Sequence, residues 1–330
     1  MSAQPDLPPK TTSPGVRFGI FKHQCASNDE IQVVERRAVD AAALSFVTTA
    51  FESDPEIGYA VMTSEARSSM TSSAFVAGIR AATQQAGKFR NVKVDRTYLV
   101  ETSGIGSVGR AICGVLKDNQ WVSVAIKPGL KQAHVTIAAQ TLNNDWQLSV
   151  WLLPEGNDWK VHNLHVGVSS LAGQSAEAIF QLARRERGAG HTFNAMMLYV
   201  ALRNLIYRGP FFQLGLTQTV DEDYRGFKPP PEAEGEPPYT WTMNGTAYTV
   251  GHVSIVAIEG KLGLVFALPQ REWKGDSEAD KSNCQFLTAF VATHPEHDRV
   301  FGFLVARAGK PDGSGGFGTV YQVGKGFTGR

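Results

Sequence analysis

From Glu30 to Gly87 the apolar residues return every three to four positions, and from Phe89 to Gly167 they return every second position. The first period is that of an amphipathic helix and the second that of a strand with one buried face, so helices precede a sheet. In "IQVVERRAVDAAALSFVTTAFES" the stripe Val34, Ala38, Ala41, Leu44, Ser45, Thr48 and Phe51 predicts the buried face of the first helix. "DPEIGYAVMTSEARSSM" predicts one short helix with proline in its first turn. "TSSAFVAGIRAATQQAG" predicts a third, which starts at a capping residue and ends at Gly87.

The stranded part carries three turn signals, "KPGLK", "LNND" and "PEGND". Pairing strands through them sets Ala125 opposite His134, Thr136 opposite Trp151, and Trp151 opposite Val161. One face then collects Val122, Val124, Val135, Ile137, Leu148, Val150, Leu164 and Val166, an apolar set that four strands share. The other face is small and polar but carries Trp121, His134, Trp151, Trp159 and His165. By the same parity His162 falls on the apolar face.

Helices followed by an antiparallel meander with one apolar face imply an α+β layer in which the helices cover that face. The helical "AVDAAALSFVTTAFESDPEIGYAVMTSEARSSMTSSAFVAGI" and the strands "HVTIAAQTLNNDWQLSVWLLPEGNDWKVHNLHVG" resemble the nuclear-transport-factor-2-like, or cystatin-like, superfamily over residues 30–168. The resemblance implies a curved sheet with a cone-shaped pocket. It implies no particular chemistry, because that superfamily holds isomerases, dehydratases and non-enzymatic binding domains alike.

Residues 1–29, with four prolines in "MSAQPDLPPKTTSPG", are expected to be a flexible lead-in. After the sheet, residues 169–217 predict a hairpin of two helices joined at "GAG" and stopped at Gly209-Pro210. Residues 218–238 predict a linker, because "FKPPPEAEGEPP" can neither continue a helix nor build core. Residues 239–330 predict a second, small α+β domain. In it "YTWTMNGTAYTVG" turns at Asn-Gly, "VSIVAIEGKLGLVFAL" forms a further hairpin, "KSNCQFLTAFVATH" forms a helix, and two strands finish the chain.

Two glycine patterns imitate nucleotide sites. "GSGGFGTV", Gly313–Val320, has the spacing of a kinase glycine-rich loop, but only nine residues follow Tyr321 and no His-Arg-Asp or Asp-Phe-Gly triplet exists, so a hairpin loop is the reading and not a kinase. "SGIGSVGR" places Gly104, Gly106 and Gly109 in dinucleotide-fold spacing, yet a helix must open at the third glycine and an acid must end the next strand. The chain offers neither, so a strand connection is expected.

Thirty-two basic against thirty-one acidic residues provide no field for nucleic acid, and no apolar run is long enough to span a bilayer. Cys25, Cys113 and Cys284 are too few and too far apart to imply a disulfide framework. Cys113 therefore reads as a buried thiol, and with no secretory signal a cytoplasmic setting is expected. His294 and His297 in "HPEHD" have a ligand-like spacing, but Pro295 between them favours a polar helix end. No metal or cofactor is implied.

These readings converge on a non-catalytic binding or assembly protein that uses either the cone or the tryptophan-bearing face, with a second copy, a protein partner or a small apolar ligand as occupant. The alternative is an isomerase or hydrolase with His162 as general base in the cone. The two differ in whether an acid stands behind His162.

Overall fold

A computed structural model describes residues 22–104, 109–116, 119–142, 144–233 and 235–328. In chain order the elements are β1 (Lys22–Ser27), α1 (Val33–Thr48), α2 (Pro55–Ala60), α3 (Ser64–Ser69), α4 (Ser72–Ala86), β2 (Arg90–Ser103), β3 (Gly109–Gly114), β4 (Trp121–Ile126), β5 (Lys131–Gln140), β6 (Asp145–Glu155) and β7 (Asp158–Val168). There follow β8 (Ser170–Leu171), β9 (Gln174–Ser175), α5 (Ala176–Gly188), α6 (Thr192–Ile206), β10 (Phe212–Leu214) and α7 (Gly215–Arg225). The chain ends with β11 (Tyr239–Met243), β12 (Thr246–Val250), β13 (His252–Ile258), β14 (Lys261–Pro269), α8 (Asp276–Thr293), β15 (Phe303–Gly309), β16 (Gly316–Gln322) and β17 (Gly326–Phe327). The fold class is α+β. Two compact units divide it: one runs to Ser170 and includes Arg203–Asp223, and the other comprises Leu171–Leu202 and the chain from Tyr224 onward.

In the first unit a five-stranded sheet has the order β1-β2-β5-β6-β7, and α1 to α4 pack over one of its faces. α1 buries Val39, Ala43, Phe46 and Val47, a spacing of four, three and one that makes a single stripe. The stripe expected from the sequence is mostly the opposite face: Val34 is 82% exposed, and Ala38, Ala41, Ser45 and Thr48 face solvent. Ala38, Ala41, Ala42 and Ala43 lie on several sides of this helix and carry little contrast, so its large residues decide the orientation. The middle helical segment is two helices, because Thr63 caps a new one by accepting the Ala66 N–H at 3.2 Å.

β4 does not join this sheet. β2 takes the place beside β5, with Tyr98 opposite His134, and β4 pairs instead with β3 and β10 in a three-stranded sheet. A second core lies there, built from Tyr98, Val100, Val122, Val124, Trp151 and Phe212 among others. Val122 and Val124 therefore point away from the helical core, contrary to the parity expectation. The main sheet is covered on both faces, by helices on one and by strands on the other.

Two further expectations change. Lys22–Ser27 is not lead-in but strand β1, paired along its length with β2. Cys25 and Cys113 are not thiols: they form a disulfide, with Cα atoms 5.5 Å apart, that ties β1 to β3. Sequence could not pair them, since 88 residues separate the two and neither has a local partner. Gly109 opens strand β3 and no helix, which removes the dinucleotide geometry; residues 105–108 of that glycine pattern lie outside the described residues.

In the second unit β13-β14-β15-β16-β17 form a sheet with α8 against one face. β14 and β15 run parallel, since α8 crosses between them. The glycine-rich segment joins β15 to β16 as a hairpin. Gly316 is required there: a Cβ would sit 2.0 Å from the Ala308 carbonyl oxygen. Part of the expected linker is ordered structure. Gly215–Arg225 is helix α7, and the Glu232 carbonyl in the proline-rich segment accepts the Trp241 indole N–H at 2.7 Å.

Candidate functional site

β7 is an edge strand, and a bulge between Trp151 and Leu152 of β6 leaves His162 as its extra residue: Trp151 pairs with Asn163 and Leu152 with Val161. The bulge turns Val161 and Trp159 toward the helical core, whereas simple alternation placed Trp159 on the opposite face. Beside the edge, β7 and the helices α3 and α4 enclose an open cleft of about 480 Å³. Its apolar walls come from Met62, Phe75 and Ile79 on one side and Leu164 and Val166 on the other. His162, Asn163 and His165 line it as well, and no lining residue carries a formal charge.

His162 Nδ1 lies 3.1 Å from the Thr63 hydroxyl, its one hydrogen bond among the described residues. Its ring stands edge-on to Trp151 at 4.7 Å. Burial chiefly, and then the Lys127 ammonium, hold its pKa below the ordinary imidazole value. Glu65 is the carboxylate whose charge opposes this shift, but Glu65 is paired with Lys127, whose hydrogen bond lowers the carboxyl pKa. A hydroxyl rather than an acid thus stands behind His162. Neither Thr63 nor Asn163 stands out in the sequence, where Thr63 falls inside the segment that predicts one short helix.

The tryptophan-bearing face is not an open surface. His134 is 0% exposed and Trp151 is buried, stacked together at 5.3 Å and covered by Phe211. His134 Nε2–H donates to the Ala125 carbonyl at 2.8 Å, linking the two sheets, and burial pushes its pKa down to about 3. Trp121 is half-buried against Gly215, where a Cβ would lie 2.8 Å from the indole nitrogen. His165 packs edge-on to Tyr207 at 4.9 Å, and burial with nearby Arg208 pushes its pKa down to about 4. His134 and Trp151 are interior because β4 and the Gly209–Leu214 segment fold back over them, a long-range event that alternation along a strand does not encode.

His294 and His297 end α8. His297 Nδ1–H donates to the His294 carbonyl at 2.7 Å, while His294 lies between Glu232 at 3.3 Å and Glu296 at 3.5 Å and packs on Phe290. Among the described residues no group of three or more His, Cys, Asp or Glu is arranged to hold a metal ion, and no helix is long and apolar enough to cross a membrane. No protein family, curated protein or solved structure matches this chain.

Proposed function

We propose that this protein is a non-catalytic binding protein that holds a small apolar ligand in the cleft between α3–α4 and β7. One observation supports the reading: an apolar cleft whose one bulge imidazole is backed by the Thr63 hydroxyl and not by a carboxylate. The volume, about 480 Å³, falls in the range of ligand pockets, roughly 300–1,000 Å³. An isomerase or hydrolase would need a base matched to its task, and a half-buried histidine with lowered pKa and no acid partner is poorly suited to hold a proton. The resemblance to the nuclear-transport-factor-2-like superfamily belongs to the same proposal, since it too expects a ligand between helices and sheet.

Gly78 on α4 lines the cleft, and a Cβ built there meets nothing within 4 Å. Gly78→Trp is therefore expected to fill the cleft without unfolding the unit. Titration with the neutral fluorescent probe N-phenyl-1-naphthylamine tests the reading. Saturable one-site binding by the native protein, lost in Gly78→Trp at unchanged melting temperature, is expected; equal binding by both proteins refutes the cleft as the site.

A further inference from the structure

Two polar groups of the cleft, His162 and Asn163, have their acceptor atoms occupied. Thr63 is buried, and its oxygen already accepts the Ala66 N–H, so its single hydroxyl proton must be placed elsewhere. The His162 Nδ1 atom, 3.1 Å away, is the acceptor that the described structure offers it. A proton on Nδ1 would strand that hydroxyl proton in the interior, which buried polar groups rarely tolerate. The imidazole is thus the Nε2–H tautomer, and Nε2–H is what it can present to an occupant.

Asn163 is fixed in the same sense. The backbone N–H of Leu164 is 2.9 Å from one terminal atom of its side chain, and an N–H can only donate. That terminal atom is the amide oxygen, so the remaining group is the donating NH₂.

Resting on the binding function proposed above, we infer that the cleft selects a neutral, mainly apolar molecule carrying a hydrogen-bond acceptor such as a ketone carbonyl, received by His162 Nε2–H and the Asn163 amide. A carboxylate would be stripped of water against walls without a cation. At His162 and Asn163 a hydroxyl or amine would meet donors in place of acceptors.

Displacement of N-phenyl-1-naphthylamine by three molecules of one shape reads this selection: 4-acetylbiphenyl, 4-ethylbiphenyl and biphenyl-4-carboxylate. The acetyl compound is expected to bind about 5- to 10-fold tighter than the ethyl compound, the worth of one hydrogen bond, and the carboxylate weakest. In His162→Leu the acetyl preference should shrink to about twofold or less, whereas His162→Gln, whose amide can still donate, should keep most of it. Equal binding of the acetyl and ethyl compounds, tighter binding of the carboxylate, or an undiminished preference in His162→Leu overturns the inference while leaving the cleft a ligand site. If none of the three displaces the probe from the native protein, or the probe itself does not bind, the cleft reading falls and this inference with it.

Discussion

Mild acid should destabilise the first unit through His134 and His165, well before its carboxylates protonate. Both histidines have folded pKa values below the ordinary 6.5, at about 3 and about 4, because burial penalises the imidazolium. Between those values and 6.5 the unfolded chain binds more protons than the folded one, so stability is complete above pH 6.5 or so and falls as pH falls. Going from neutral to near pH 5, the linkage relation gives a loss of ~2 kcal/mol for His134 and nearly as much for His165, a total of ~4 kcal/mol. Carboxylates held low, such as Glu155 at about 2, contribute only at more acid pH. Urea unfolding followed by tryptophan fluorescence near pH 7 and near pH 5 measures the difference. His134→Gln, which can still donate to the Ala125 carbonyl, should lose ~2 kcal/mol less over this interval than the native chain. If the variant and the native protein lose equal stability, His134 is not the buried neutral link between the sheets.

Other measurements test the packing directly. Phe46→Ala should cost about 3–5 kcal/mol and Val34→Ala less than about 0.5 kcal/mol, and the reverse order in thermal melts would reinstate the other face of α1. Alkylation of the unreduced protein in denaturant should modify one cysteine, Cys284, and Cys25→Ser should lower stability by about 2–5 kcal/mol; three modified cysteines would disprove the disulfide. Gly215→Val should lower the melting temperature sharply by driving a side chain into the Trp121 indole, whereas Gly78→Ala, which meets open space, should not.

Whatever depends on near neighbours in the chain was legible in the sequence. Asn244-Gly245 and Glu259-Gly260 adopt positive φ and close the expected hairpins, because backbone sterics at two residues suffice to set such a turn. The apolar run of α8 and the strands flanking the glycine-rich hairpin follow from composition and period in the same way. His162 was singled out by parity alone. Its surroundings were not, because a bulge of one residue redirects every side chain beyond it and no residue type announces a bulge in β7. Periodicity says that a segment is a strand with a buried face but not which strand lies beside it. That is why β4 was assigned to the wrong sheet and why Trp121, His134, Trp151 and His165, read as a surface, are enclosed or half-enclosed by the segment from Tyr207 to Gly215. The Cys25–Cys113 bond and the Thr63–His162 contact each join points 88 or more residues apart, and only the folded chain brings them within bonding distance.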